Sequence, residues 1–143
     1  MLYLDIDALN AKFWATSLTY KDAAGVSQTM PASQKLVENQ PDEELDETLP
    51  YVRWTITPGD SKLTAVSPAL FTSLGTATLQ IFVPKGKGTG AAIDIKEVFE
   101  NAFREWRSTD KRLRIYKISS AKGSEKNALQ VNVTVFYESK RLV

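Results

Sequence analysis

The chain of 143 residues contains no histidine and no cysteine. Without histidine there is no Ser-His-Asp or Cys-His catalysis, no imidazole general base and no usual zinc ligand. Without cysteine there is neither a disulfide framework nor a thiolate metal site. That fits a protein made and assembled in a reducing cytoplasm. No apolar run approaches the roughly 18 residues that a membrane-spanning helix needs. Met1–Asp7 holds two acids, Asp5 and Asp7, where a secretory signal would hold basic residues. These absences predict a soluble, unanchored protein without a signal peptide.

What is there is an ordinary globular balance: 43% hydrophobic and 24% charged residues, in a length that suits one domain. The net charge is only +1, but it is unevenly placed. Residues 1–50 carry three lysines against nine acids, and residues 51–143 carry fifteen cations against eight acids. The asymmetry has two readings, a molecule with an acidic and a basic side that suits contacts between copies, or one solvated acidic loop on a mixed surface.

Residues 5–20 read as a first helix, with Ile6, Leu9, Phe13 and Tyr20 near one face, Trp14 and Leu18 beside it, and Asp5 or Asp7 as a cap. Residues 21–50 show no sustained period. Gly25, Pro31, Pro41 and Pro50 punctuate them, so the segment reads as a long irregular loop with a short strand near Lys35–Glu38. From Tyr51 the period becomes two: Val52, Trp54 and Ile56 alternate with Arg53, Thr55 and Thr57, which puts Trp54 toward the core and Arg53 outward. Pro58-Gly59-Asp60 predicts a turn. A second strand runs from about Leu74 to Val83 and stops at Pro84.

Ala91, Ala92, Ile95, Val98, Phe99, Ala102, Phe103 and Trp106 recur at helical spacing, with Thr89 placed to cap the start and Glu100 placed to pair with Arg104. Leu113–Ser119 is a further strand whose apolar phase slips between Ile115 and Tyr116, as a bulge or an edge position would cause. Ala121–Asn127 is a polar excursion, with Lys122-Gly123 as a turn signal. Leu129–Tyr137 then alternates cleanly as a half-buried antiparallel strand. The order predicts a single α+β domain: an antiparallel or mixed β-sheet with two main helices packed on one face.

The candidate chemical motifs fail on their own requirements. Gly59-Asp60-Ser61 resembles a hydrolase nucleophile block but has no histidine to serve it. Pro84–Gly90 joins a strand to a helix with glycines and lysines, yet Lys87 is followed by Gly88 and not by Ser or Thr. The acidic run Asp42–Glu47 lacks the glycine and oxygen spacing of a calcium loop. Tyr51, Arg53 and Trp54 with Lys111, Arg112 and Arg114 suggest a nucleic-acid surface, but a net charge of +1 argues against direct nucleic-acid binding. The expectation is no enzyme, no cofactor, no metal and no membrane partner.

Three stretches carry a family resemblance. Pro50-Tyr51-Val52-Arg53-Trp54-Thr55-Ile56-Thr57-Pro58-Gly59 is similar to the first-strand signature of the tail terminator proteins of long-tailed, lambdoid-type bacteriophages. Thr78-Leu79-Gln80-Ile81-Phe82-Val83-Pro84 running through Lys85-Gly86-Lys87-Gly88-Thr89-Gly90 into Ala91-Ala92 resembles that family's strand, Gly-x-Gly-Thr loop and alanine-started helix. Leu129–Glu138 resembles its final strand. Residues 21–49 are longer than the family's segment there.

The resemblance implies a virion protein assembled in the host cytoplasm. It would form a homo-hexameric ring at the head-proximal end of the tail tube, end polymerisation of the tail tube protein and offer a surface to the head connector or neck protein. A neck or head–tail completion protein is the alternative, and a nucleic-acid-binding module a more distant one. Charge and loop position nominate the contact residues: Asp42, Glu43, Glu44, Asp46 and Glu47 in the acidic run, Lys85 and Lys87 before the second helix, and Lys122 and Lys126 in the excursion between strands.

Overall fold

Residues 2–37, 45–66, 69–85, 90–123 and 128–142 are described in the computed structural model, save the side chains at 2, 3, 128 and 142. In chain order the elements are α1 (Leu2–Ala15), β1 (Thr19–Lys21), β2 (Ser27–Thr29), a 3-10 turn (Ala32–Gln34), β3 (Lys35–Val37), β4 (Tyr51–Val66), β5 (Ala69–Pro84), α2 (Gly90–Phe103), β6 (Leu113–Lys122) and β7 (Ala128–Leu142). The main sheet has the order β3-β4-β5-β7-β6. Its neighbours are antiparallel except β3, which lies parallel to β4 over Val52–Trp54. The protein is α+β.

Strand alternation decides which face is buried. Val52 and Trp54 of β4, Ala77, Leu79, Ile81 and Val83 of β5, and Val133, Val135 and Tyr137 of β7 all turn to one side and are buried. Leu9 and Phe13 of α1 and Ile95, Phe99 and Phe103 of α2 cover that side. Trp54 is the meeting point. Its ring stacks on Phe13 at 5.0 Å and lies 5.7 Å from Phe99 and 5.5 Å from Phe103. Its Nε1 donates a 3.0 Å hydrogen bond to Asn10 Oδ1, so the one polar atom of the indole is satisfied. Both helices therefore brace the same face, as the sequence pattern predicts.

Several boundaries differ from the expectation, each for a local reason. The first helix ends at Ala15 and not near residue 20: the Thr16 hydroxyl donates back to the Lys12 carbonyl at 2.8 Å, and Tyr20 packs from β1 instead. The helix begins at Leu2, so Asp5 lies inside its first turn and is no cap; it is buried and accepts a 2.8 Å bond from Ser139 Oγ. The expected loop contains the β1–β2 hairpin, tied by Asp22, whose Oδ1 accepts the backbone N–H groups of Ala24 and Val26. The short strand near Lys35 is present as β3.

Pro58-Gly59-Asp60 does not turn the chain. It forms a bulge between Pro58 and Ser61 inside a strand that continues to Val66. A Cβ on Gly59 would overlap the Leu74 carbonyl, so glycine is what lets the two backbones approach. The phase slip in β6 is a register shift between Ile115 and Lys117, on a strand at the sheet edge. The second helix stops at Phe103, leaving Trp106 beyond it, half-buried against the core. Glu100 holds Lys96 at 3.2 Å and Arg104 at 3.9 Å. The proposed Thr89 cap lies outside the described residues.

Candidate functional site

The described members of the nominated contact set lie at one end of the sheet. Tyr51, where β4 starts, pairs with Phe82; Pro84, where β5 stops, pairs with Ala128; and Lys122, where β6 stops, pairs with Val131. The start of β4, the end of β5, the start of β7 and the end of β6 therefore lie at the same end of the sheet. Asp46, Glu47, Lys85 and Lys122 are all exposed at this end. Asp42, Glu43, Glu44, Lys87 and Lys126 lie outside the described residues.

A residue the sequence does not advertise holds the acidic segment. Gln34 is 2% exposed, and its Oε1 accepts the Asp46 N–H at 2.9 Å. Its Nε2 donates to the carbonyls of Asp46 at 2.8 Å and Pro50 at 3.1 Å. Asp46 Oδ1 in turn accepts the N–H of Thr48 at 2.9 Å and its hydroxyl at 2.5 Å. Asp46–Pro50 is thus a hydrogen-bonded turn whose residues 46–49 are exposed to solvent. A lone glutamine before a three-residue strand carries no pattern by which sequence reading could find it.

Beside this turn lies a groove of about 610 Å³ lined by Tyr20, Asp22, Gln28, Pro31, Leu49 and Pro50, with the start of α2 at Ala91 closing it. The Lys35 ammonium is buried over the Phe13 ring at 5.4 Å and donates to the Thr16 carbonyl at 2.8 Å. Burial lowers its pKa.

Among the described residues no helix covers the other face of the sheet. By register it presents rows of polar side chains, among them Arg53–Gln80–Asn132 and Thr55–Thr78–Thr134–Ser119. On the same face Glu138 accepts a 3.2 Å bond from Arg114 and lies 3.3 Å from Lys140. Partial burial alone would push its pKa up, but the bonds from Arg114 and Lys140 and their charges outweigh it and hold the carboxyl below its ordinary range. Lys117 sits 4.9 Å above the Phe136 ring. Arg53 is exposed, as the alternation of β4 indicates.

No protein-family model matches the chain, and no curated protein matches its sequence. Solved structures do: one aligns over 94% of this chain and 94% of its own, with a TM-score of 0.55 at 15% identity. At that identity the likeness concerns the fold alone. Among the described residues no group of three or more Asp, Glu, His or Cys could hold a metal ion. No helix among them is long and apolar enough to cross a membrane.

Proposed function

We propose that this chain is a structural protein that closes into a ring with copies of itself at the head-proximal end of a phage tail tube. There it stops addition of further tail tube protein and offers a surface to the head-proximal connector or neck protein. It acts by surface fit and not by making or breaking bonds.

The observation that carries this reading is the grouping of Asp46, Glu47, Lys85 and Lys122 at one end of a braced five-stranded sheet. Charges of both signs on one rigid end suit a contact in which an acidic turn meets lysines on the next copy. The two outer strands are unlike: β3 covers only Val52–Trp54 of β4, and β6 borders the opposite side. A contact between unlike edges is heterologous, and it closes into a ring when its rotation closes. The likeness in Pro50–Gly59 and Thr78–Ala92 to tail terminators adds the place in the virion.

Reversing charge at Lys85 and Lys87 together, each to Glu, tests the assignment. Light scattering should then show loss of the ring, and capping of preformed tubes should fail. An unchanged oligomer that still caps tubes rejects these lysines as contacts.

A further inference from the structure

The uneven charge seen along the sequence becomes an asymmetry between the two sides of the fold. On the helix side α1 and α2 present the acids Asp7, Asp94, Glu97 and Glu100 and the lysines Lys12 and Lys96, Asp5 being buried against Ser139, and register adds Lys122 and Arg141 to that side. The open face of the sheet is strongly cationic. Register places five cations there among the described residues, Arg53, Lys62, Arg114, Lys117 and Lys140, and one acid, Glu138. Asp60 sits in the β4 bulge, outside the paired register. Glu138 is held between Arg114 and Lys140, so the face keeps a strong positive excess in a chain whose net charge is +1.

We propose that this open sheet face binds the phosphate backbone of nucleic acid. The low net charge that argues against such binding averages over the whole chain, and a ligand meets only this cationic face. The face also suits the ligand in its neutral groups. Thr55, Thr78, Thr134 and Ser119 form a hydroxyl row across four strands, next to the amides of Gln80 and Asn132. Short uncharged donors beside cations are what phosphate and sugar oxygens accept from.

An ordinary protein partner would want an apolar centre, and the middle of this face is hydroxyl and amide. Phe136 on this face, with Tyr116 at 6.3 Å on the edge strand and 46% exposed, adds ring surface on which unpaired bases can stack. The inference concerns one copy of the chain and does not depend on ring closure.

Fluorescence anisotropy with a labelled 20-nucleotide single strand and the matching duplex tests it. Both should bind at 50 mM salt. For the duplex, about four phosphate contacts predict roughly a hundredfold weakening on going to 200 mM salt. Arg53→Gln and Lys117→Ala change exposed side chains, and each should lower the duplex salt slope by about one. The control Lys96→Glu, on the helix side, should leave binding unchanged. A preference for the single strand that Tyr116→Ala abolishes would assign the stacking role. Absence of binding to both probes at 50 mM salt overturns the inference, as does equal weakening by Lys96→Glu and Lys117→Ala. Loss of self-association in Arg53→Gln and Lys117→Ala without loss of nucleic-acid binding would give the face to a second copy and also overturn it.

Discussion

The Lys35 ammonium donates a 2.8 Å hydrogen bond to the carbonyl of Thr16, just past the end of α1. One buried cation thus satisfies a carbonyl at the helix C-terminus, where the backbone dipoles favour positive charge. The pH dependence follows from burial, which lowers the Lys35 pKa from its ordinary 10.5. Between the lowered value and 10.5 the unfolded chain binds more protons than the folded one, so stability rises with pH through that window. Tyr20 and Tyr137 act in the opposite sense. Burial, with Asp22 and Asp5 nearby, raises each above 10.0, so their contribution is present below that value and is lost as pH climbs through the raised ones. Urea melts from pH 8 to 11 should therefore show stability rising and then falling, and Lys35→Met should lack the rise. At neutral pH, Lys35→Ala should cost about 1–3 kcal/mol by stranding the Thr16 carbonyl.

Trp54 touches both helices from the sheet, so its loss should be felt throughout. Trp54→Ala removes the ring that Phe13, Phe99 and Phe103 pack against, and should cost about 3–5 kcal/mol. Trp54→Phe keeps much of the packing but leaves Asn10 Oδ1 without its donor. It should cost distinctly less. Equal losses in the two variants, measured by chemical denaturation, would mean that the ring contacts contribute little.

Asp5 and Ser139 join the start of α1 to the far end of β7 through a buried 2.8 Å bond. Ser139→Ala should cost about 1–3 kcal/mol, because it strips a donor from a buried carboxylate. The same substitution in an Asp5→Leu background should cost much less. A double-mutant cycle gives the coupling directly, and additive losses would show that the bond does not matter.

Gln34 makes three bonds to the turn that carries Asp46 and Glu47. Gln34→Ala should reduce stability by about 1–3 kcal/mol and loosen the turn. If that turn is a contact between copies, size-exclusion chromatography at 25 °C should show a smaller assembly even where circular dichroism shows a folded chain. A variant that is destabilised yet fully assembled would remove the turn from the interface.

Much of the frame was legible in the sequence because strand alternation and helix spacing report burial directly. Trp54 inward with Arg53 outward, the slip in β6 and the amphipathic α2 are all of this kind. Legibility failed where a local signal met a stronger distant one. Pro58-Gly59-Asp60 has turn chemistry, but continuous pairing of β4 with β5 absorbs it as a bulge. The β1–β2 hairpin was hidden because strands of three residues with mostly exposed side chains leave no periodic trace.

Of the interaction surfaces, the charges could be counted in the sequence but not assigned to sides. Register is what separates Arg53, Lys117 and Lys140 from the acids of the helices. Gln34 had no signal at all, since its role depends on a turn twelve residues away.

Negative-stain imaging of the purified protein over a range of concentrations decides whether the chain closes into a ring. Closed rings of constant copy number with a central hole, which do not lengthen as concentration rises, are expected. Single copies at every concentration, or filaments that keep growing, would contradict ring closure.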